Sequence, residues 1–442
     1  MKLINFAFSF EKMGCHRIAI MRIRLVFPAL CLFVFFFSFS MAGYSSDPTF
    51  ENGLAIRTIG QFQQWPGFLK DLGVVSSTNS QTFQNLCRIW TKANFDSFKF
   101  KAEIETNSLY NSNGQFENKA GSWNSIFATN HFVNWDLQKS IYMNRYADFS
   151  ATLERFDFSW TANKLDFDLG RQPISLGTSH FIGILDVLAP FCPGYLDASY
   201  KPGVDALRIR TGAGTSGEAE LIFAANKQAS YDASIGRIRN TFSGIDLELL
   251  GGRFRERNFT GLAWAGEKRK VDLWGEMAFF QRKLDKEKNW GGDSRFALSW
   301  IAGMEKEVYR KMRMGIAFMY QDFGFRKPED FQLVTQDSPF KEDWTFLSAS
   351  EYGLLTLHMP FTQLMTADLS GIFNLIDHST LWQPKLSIST TGNSDVSIFC
   401  WLRTGRESNL TSSSLIPGSI PLTQSEFGLI PQGIGVIFRR FF

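Results

Sequence analysis

Arginine side chains recur at every second position in three short stretches of this sequence. The three sets are Arg208 and Arg210, then Arg237 and Arg239, then Arg253, Arg255 and Arg257. Because successive side chains of a β-strand alternate between its two faces, this spacing predicts that each set shares one face. Guanidinium groups lining a wet interior would favour anionic solutes, since they pair with carboxylate or phosphate. The alternative is that they balance acidic residues on neighbouring strands, namely Asp246, Glu248, Asp272 and Glu276.

A second set of candidates surrounds a stretch rich in proline and glycine. Prolines at 173, 190, 193 and 202 forbid a continuous strand ladder, so we expect residues 177–203 to form a loop that folds inward. Arg171 could pair with Asp186 or Asp205 and fix this loop to the wall; alternatively, Arg171 is a solvated strand residue. The candidates for pore lining and constriction are therefore Arg171, Asp186, Asp205, Arg208, Arg210, Arg253 and Arg255.

Enzymatic chemistry has little support in the sequence. The histidines beyond the leader, at 131, 180, 358 and 378, stand in no recognisable nucleophile motif. Ser179 and His180 are adjacent, but neighbouring strand residues point to opposite faces. Cys87, Cys192 and Cys400 form neither a disulfide framework nor a metal-ligand spacing. We expect no catalytic residue, no metal and no cofactor, and the formal net charge of +3 gives no basic field for nucleic acid.

The elements that position these residues are short runs of alternating polarity. In Phe98–Thr106 apolar residues alternate with lysine and glutamate, and Met314–Tyr320 shows the same period of two. After the leader, no apolar stretch approaches the roughly 20 residues of a membrane helix. The pattern predicts an all-β, transmembrane, antiparallel up-and-down β-barrel of about 16 strands (roughly 14–18), with lipid outside and a wet interior.

The connections between the runs support this interpretation. Long polar segments alternate with short ones, as expected for outer loops and periplasmic turns of a barrel. The alternation slips by one strand between Thr211 and Lys270, where we expect a strand to be missed or split. Residues 43–97 show little pattern, and residues 43–90 could hold a small plug.

The C-terminal residues predict how the barrel closes. Every second residue back from the end gives Phe442, Arg440, Phe438, Val436 and Ile434. Such an ending is typical of outer-membrane barrels, whose last strand pairs with the first. Phe438 and Phe442 are the expected membrane-insertion signal, although Arg440 departs from the aromatic residue often found there. The alternative is a short edge strand of a soluble sandwich.

Residues 1–42 read as a leader. Arg22 and Arg24 precede an apolar run, and Ser40-Met41-Ala42 supplies the small residues of a cleavage site. Cleavage after Ala42 is expected, with Met21 as a possible true start; the rival interpretation is an uncleaved membrane anchor. Residues 43–442 are then a single outer-membrane barrel domain.

One internal stretch carries a family resemblance. Gly170-Arg171-Gln172-Pro173, the later Ala189-Pro190-Phe191 and Lys201-Pro202-Gly203-Val204-Asp205-Ala206 are similar to a pattern in bacterial outer-membrane porin-like barrels, including the alginate-export-like group. Leu176 stands where that family often has tryptophan. The resemblance implies a multi-pass barrel in the cell outer membrane of a Gram-negative bacterium. Its implied partners are outer-membrane lipid, the barrel-assembly machinery and small polar solutes, with a homo-oligomer possible.

The functional expectation is a porin-like channel for passive diffusion of small polar or anionic solutes. One alternative is a sheath or docking scaffold for a secretion or electron-transfer partner, without an open pore of its own. Another is an outer-membrane hydrolase.

Overall fold

The computed structural model describes residues 49–71, 75–114, 132–179, 182–190, 200–214, 216–282, 295–330, 345–406 and 425–442. The expected leader and its expected cleavage site lie outside the described residues. The strands are β1 (Thr49–Gln64), β2 (Asn79–Phe95), β3 (Phe98–Asn111), β4 (Gln138–Met143), β5 (Ala147–Ala162), β6 (Leu165–Gln172), β7 (Val204–Ala213), β8 (Gly217–Ala224), β9 (Ala233–Phe242), β10 (Ile245–Phe254), β11 (Arg257–Lys268), β12 (Val271–Gln281), β13 (Phe296–Tyr309), β14 (Met312–Gln321), β15 (Glu351–Pro360), β16 (Met365–Asn374), β17 (Thr380–Thr391), β18 (Ser394–Thr404) and β19 (Gln432–Phe441).

One short helix, α1 (Gly67–Asp71), follows β1. No helix within the described ranges has the length and apolar character needed to cross a membrane.

The strands form a closed antiparallel barrel. Eighteen of them pair with their neighbours around the ring, and β4 pairs with part of β5 outside it. The last strand closes on the first, with Ile437 opposite Ile59. The ring closure continues to the final residue, because Phe442 and Leu54 each donate a backbone hydrogen bond to the other. Closure removes the open sheet edges that an unpaired strand would leave. The predicted pairing of the last strand with the first is therefore confirmed.

The expected strand number of about 16 was too low. Part of the error lies between β10 and β11, which are joined only by Arg255 and Glu256, with φ of 48° and 64°. Long connections were expected at this end of the barrel. A connection of only two residues there breaks the alternation of long and short connections, so the boundary between the two strands was missed. The other part lies in residues 49–64 and 79–95, which are long barrel strands and not a plug.

The two ends of the barrel differ in their connections. At one end, which we call the turn end, pairs of strands are joined by tight turns such as Ser243-Gly244, Arg269-Lys270 and Arg310-Lys311, whose residues have positive φ. At the other end, the loop end, the connections include residues 173–203 and 322–350.

The outward face of the wall is apolar along most strands. On β10, Leu247 and Leu249 are exposed, while the alternate residues Glu248 and Leu250 are buried on the inner side. On β14, Met314, Ile316 and Phe318 are likewise exposed. A continuous belt of exposed apolar side chains is unfavourable in water and is stable against hydrocarbon.

The interior is unequal on its two sides. Over the loop-end part of β7 to β16, inner residues join a hydrophobic core with residues of the 173–203 connection such as Ile174, Leu176, Leu185 and Leu188. An aromatic row crosses this half, with ring centroids 6.0–6.4 Å apart; its members are Phe132, Phe254, Phe259, Phe280 and Phe323. We call this side the filled half. Along β17, β18, β19, β1 and β2, many inner side chains are polar, and we call this side the polar wall.

Candidate channel interior

Arg171 and Asp205 form a buried ion pair at the loop ends of β6 and β7. The Arg171 Nε lies 2.7 Å from Asp205 Oδ1, and the two side chains are only 3% and 0% exposed. Arg171 also donates to the carbonyl oxygens of Leu153 (3.0 Å) and Trp135 (2.7 Å). Asp205 Oδ2 accepts the backbone N–H groups of Asn134 (2.8 Å) and Trp135 (3.0 Å). The pair therefore ties the segment before β4 to the barrel wall.

Asp186 does not reach Arg171. Its Oδ2 pairs with Lys201 Nζ at 2.5 Å, so the two residues join the outgoing and returning arms of the 173–203 connection. Burial raises the pKa of the Asp186 carboxyl, and the neighbouring Lys201 opposes that rise. Of the two partners that the sequence offered for Arg171, the structure brings only Asp205 to it.

Arg208 and Arg210 share the inner face of β7, as their spacing predicts. Arg208 Nε lies 2.5 Å from Glu220 Oε1 on β8, and Arg210 Nη2 lies 2.6 Å from Asp168 Oδ2 on β6. Glu220 also pairs with Arg237 of β9. These arginines balance acidic residues on adjacent strands. The partners of Arg208 and Arg210 are not among the four carboxylates expected from the sequence, but Arg237 lies 3.9 Å from Glu248, which is one of them.

The expectation that Arg253, Arg255 and Arg257 share one strand face was wrong. β10 ends at Phe254 and β11 begins at Arg257, so Arg255 lies in the turn between them. Arg253 is exposed, and it lies on the same outward face of β10 as Leu249. Arg255 is buried, with its guanidinium carbon 5.3–5.7 Å from the ring centroids of Phe132, Tyr231 and Phe254.

The 173–203 connection is held against the filled half by one carboxylate. Glu276 of β12 is fully buried, and its two oxygens accept four backbone N–H groups. The donors are Thr178 at 2.7 Å, Ser179 at 2.6 Å, Ile184 at 2.7 Å and Leu185 at 3.1 Å. We call this arrangement the Glu276 anchor. From the sequence, Glu276 was expected only to balance charge, because nothing in its local pattern reveals a distant backbone partner.

Two further contacts reinforce the Glu276 anchor. Glu248 on β10 accepts the N–H of Gly177 at 2.9 Å, and Arg237 on β9 donates to the Ser175 carbonyl at 3.0 Å. Gly177 has φ of +85°, and a Cβ at this position would lie 2.2 Å from Glu276 Oε1. The anchor therefore requires glycine at 177 for both backbone conformation and space.

The returning arm contacts a different part of the wall. Tyr200 lies between the guanidinium groups of Arg88 and Arg155, with their carbon atoms 3.3 Å and 4.2 Å from its ring centroid. Its hydroxyl donates to Glu103 of β3. The connection is thus bound to β10 and β12 near its start and to β2, β3 and β5 near its end.

The polar wall carries basic residues that the sequence analysis did not select. They are spread over five strands and face inward, by the phase of buried neighbours such as Ile59, Leu86, Phe399 and Ile437. They are Lys385 on β17, Arg403 on β18, Arg439 on β19, Arg57 on β1, and Arg88 and Lys92 on β2. On the same inner face, Asp395 pairs with Arg439 at 2.9 Å and Glu51 pairs with Lys92 at 3.1 Å. Lys385 forms no ion pair with any residue that the structure describes.

A cavity of about 520 Å³ adjoins this wall at the β1, β2, β3 and β5 side. Its lining includes Arg57, Arg88, Glu105, Glu154 and Lys227. Charged groups of both signs therefore face the same open space.

A buried carboxylate also joins three loop-end connections. Glu426, before β19, accepts the backbone N–H of Ser348 at 2.8 Å, the Tyr352 hydroxyl at 2.6 Å and the Asn374 amide at 2.7 Å. Its own N–H donates to Asp377 at 2.6 Å. Burial raises the pKa of Glu426 to about 7, against the lowering effect of its hydrogen bonds.

The histidines and the acidic and cysteine side chains of the described residues are the remaining candidates for metal binding or catalysis. The described part of the chain contains no cluster of three or more His, Cys, Asp or Glu side chains that could hold a metal ion. His358 Nδ1 lies 2.7 Å from Asp368 Oδ1, and both side chains are exposed. His131 and His180 lie outside the described residues.

Comparison with solved structures identifies the fold. Acinetobacter baumannii OccAB2 aligns with a TM-score of 0.55 at 7% identity, covering 89% of this chain and 98% of that one. Pseudomonas aeruginosa OccK9 (OpdG) gives 0.52 at 10% identity, and a BenF-like porin from Pseudomonas fluorescens Pf-5 gives 0.52 at 8%; each covers 89% of this chain and 98% of its own.

The fold is that of a porin-like barrel. No protein-family model and no curated protein sequence matches the chain. The resemblance noted in the sequence is thus confirmed for the architecture, which positions the polar wall and the 173–203 connection inside one barrel.

Of the two residues expected to form the insertion signal, Phe438 lies on the outward face of β19 and Phe442 directly follows this strand. Phe438 is opposite Thr58 of β1 and Val396 of β18, and it is partly exposed. Phe442 is exposed, and the Arg440 guanidinium carbon lies 4.7 Å from its ring centroid.

Proposed function

We propose that the protein is a porin-like channel in the outer membrane of a Gram-negative bacterium, and that it passes small polar or anionic solutes by passive diffusion without catalysing a reaction. The observation that carries the proposal is the contrast between the filled half and the polar wall. A closed barrel with an apolar outer belt and charged groups inside has the arrangement of a wet passage through hydrocarbon.

The solute path runs along the polar wall. Toward the loop end, packed hydrophobic side chains close the β7 to β16 side, so ions and water have no favourable surface at that level. Toward the turn end, the same side carries paired charges such as Arg210 with Asp168 and Arg313 with Asp272. The connection 177–203 narrows the passage from the filled half, because its two arms contact β12 and β3. We therefore assign the constriction to the space between this connection and the polar wall.

The charge of the polar wall favours anions. Six basic side chains and two acidic ones face inward on β17, β18, β19, β1 and β2. The two acids are paired with Arg439 and Lys92, and Arg88 pairs with Glu103 and Glu105 of the adjacent strand β3. Rings or rows of arginine and lysine raise the local concentration of anions and lower that of cations in a narrow pore. Arg171 and Asp205 have a different role in this scheme, since their buried pair supports the wall and does not face the solute.

The sheath interpretation fits the interior less well. A barrel that surrounds a partner needs its lumen free for that partner. Here the chain's own residues 174–176 and 184–189 occupy one half of the interior and pack against its wall.

The experiment is reconstitution of the purified protein in planar bilayers under a salt gradient. Discrete conductance steps with an anion-selective reversal potential are expected without any partner. Lys385→Glu should shift the reversal potential toward cation selectivity, because it reverses an inward charge of the polar wall. Lys268→Glu, an exposed residue at the turn end of β11, is the matched control and should leave selectivity unchanged. A closed protein, or equal selectivity in the wild type and Lys385→Glu, contradicts the proposal.

A further inference from the structure

Two lysines interrupt the apolar outer face of the barrel near its turn end. Lys268 on β11 and Lys306 on β13 lie on either side of Val271 on β12, in one row across the three strands. We call this row the lysine row. In the next row toward the loop end, Leu273 lies opposite Met304, and both are exposed on the outward face. Because side chains of a strand alternate between its faces, the two lysines also point outward, at the edge of the apolar belt.

Charge is rare on this part of the outer face. Near the turn end, the outward residues of other strands are mainly apolar, as Phe158, Ile245 and Leu357 are. Within the described strands, the one other charged residue there is Arg440 on β19, and its guanidinium carbon lies 4.7 Å from the ring centroid of Phe442. Two lysines in a single row are therefore a local exception.

The acidic residues of the same strands face the interior. Glu267 lies opposite Asp272, one position from the lysine row and thus on the other face of the sheet. Glu305 is on this inner face as well, and Arg313 pairs with both Asp272 and Glu305. Among the residues that the structure describes, none forms an ion pair with either lysine of the row. The positive charge of the row is therefore uncompensated on the outer side of the wall, away from the passage.

Two tight turns extend this positive charge beyond the strands. Arg269-Lys270 joins β11 to β12 and Arg310-Lys311 joins β13 to β14, and all four residues are exposed. Their φ angles lie between 43° and 67°, a conformation that glycine and asparagine adopt at lower cost. The turn between β9 and β10, Ser243-Gly244, does use a glycine. Long basic side chains thus stand at positions where the backbone alone would favour small residues.

We propose that the lysine row and these two turns bind the phosphate headgroup of an anionic glycerophospholipid; this inference relies on the membrane location proposed above. Short turns of such barrels lie on the periplasmic side, so the lipid belongs to the leaflet at the turn end. Lysine side chains at the edge of an apolar surface can lie along it and hold their amines at the level of the headgroups. Basic clusters at that depth recognise acidic lipids.

The position of the lysine row favours a lipid over a soluble acidic protein. The two lysines project from the wall itself, next to Leu273 and Met304, which are 39% and 47% exposed. A lipid contacts both surfaces at once, because its phosphate meets the lysines and its acyl chains lie against the apolar residues. Tyr309, which is 60% exposed beside the second turn, adds an aromatic ring of the kind found at membrane interfaces.

Native mass spectrometry of the folded barrel in detergent tests the site. The protein is titrated with phosphatidylglycerol or with phosphatidylcholine of the same acyl chains, and we expect tighter binding of phosphatidylglycerol. Lys268→Gln combined with Lys306→Gln should raise the apparent Kd for phosphatidylglycerol by about 30-fold, the effect expected for two lysines at an anionic headgroup. Lys268→Arg combined with Lys306→Arg keeps both charges and should keep the binding.

A matched control separates the lysine row from net charge. Lys99→Gln combined with Lys164→Gln removes two charges at the turn end, one on the inner face of β3 and one in the turn after β5, and should bind as the wild type. A heat-modifiable gel band reports that each variant is folded. Equal weakening in both glutamine variants, or equal binding of the two lipids by the wild type, overturns the proposal.

Two further arms identify the source of the phosphate and the independence of the site. Glycerophosphoglycerol, which is the headgroup without acyl chains, should not displace phosphatidylglycerol at equal concentration; displacement would overturn the assignment to a lipid. Conductance is recorded on the same preparations. A barrel that binds phosphatidylglycerol through the lysine row but does not conduct contradicts the proposed channel and leaves the lipid site standing. A conducting barrel whose lipid binding ignores the lysine row contradicts the site alone.

Discussion

Replacing Glu276 by glutamine should release the 173–203 connection from the wall. Glutamine keeps one acceptor oxygen, but its NH₂ group would face two backbone N–H donors of the Glu276 anchor. Hydrogen bonds to a charged group contribute about 1.5–3 kcal/mol each, so the loss of two gives about 3–6 kcal/mol. At about 1.4 kcal/mol per factor of ten, the ratio of released to anchored connection rises by about 10²–10⁴-fold.

Two assays report the release. In planar bilayers, Glu276→Gln should change the single-channel conductance and increase current noise, because the constriction is no longer fixed. In limited proteolysis of folded protein, mapped by mass spectrometry, new cleavage sites should appear within residues 177–190. Both readouts follow the same segment, one through ion flow and the other through backbone accessibility.

Two substitutions calibrate the effect. Glu248→Gln disturbs a carboxylate that accepts a single N–H from the connection, so its effect should be smaller. Glu267→Gln changes an exposed residue at the turn end of β11 and should behave as the wild type. If Glu276→Gln gives wild-type conductance, noise and cleavage, the reasoning that one carboxylate holds the connection is refuted.

Three further predictions concern stability and assembly. Arg171→Met should lower the free energy of unfolding by about 3–5 kcal/mol, because it leaves a buried carboxylate unpaired. Arg326→Met removes a partner from an exposed ion pair and should lower the free energy of unfolding only slightly. Denaturant midpoints of the two folded variants and the wild type measure this difference. Because the pKa of Glu426 is raised to about 7 from 4.5, its folded form binds more protons, so stability should fall as pH rises from about 4.5 to about 7, by about 3 kcal/mol. Glu426→Gln should abolish this slope in unfolding midpoints measured across that range, and an unchanged slope would refute the assignment. Deleting Phe442 removes two backbone hydrogen bonds at the barrel seam and should reduce the yield of heat-modifiable barrel relative to Phe442→Tyr; equal yields would argue against a role for the seam.

The architecture follows from the sequence because a barrel strand repeats one simple pattern. Alternation along Phe98–Thr106 and the C-terminal phenylalanines predict strands and their closure, since each signal lies within a few neighbouring residues. The strand number is harder, because it depends on turns such as Arg255-Glu256 that look like strand residues by composition. Residues 43–97 show weak alternation, yet the long strands β1 and β2 form there, stabilised by pairing with each other and with β19.

The candidate site could be predicted only where a feature depends on residues that are near each other in the sequence. Arg208 and Arg210 share a face because spacing alone decides it. The Glu276 anchor depends on backbone groups about 90 residues away in sequence, and no local signal marks it. The basic residues of the polar wall are spread over five strands, as Arg57, Lys385 and Arg403 are, and only the closed ring brings them together.

Site-directed modification of the interior tests the central claim most directly. Gln61→Cys places a thiol on the polar wall, and Ala278→Cys places one in the filled half, each in a chain without its native cysteines. A negatively charged methanethiosulfonate is added during single-channel recording. The account predicts that current falls for Gln61→Cys and stays constant for Ala278→Cys. Block at Ala278→Cys alone, or at neither position, would show that solutes do not pass along the polar wall.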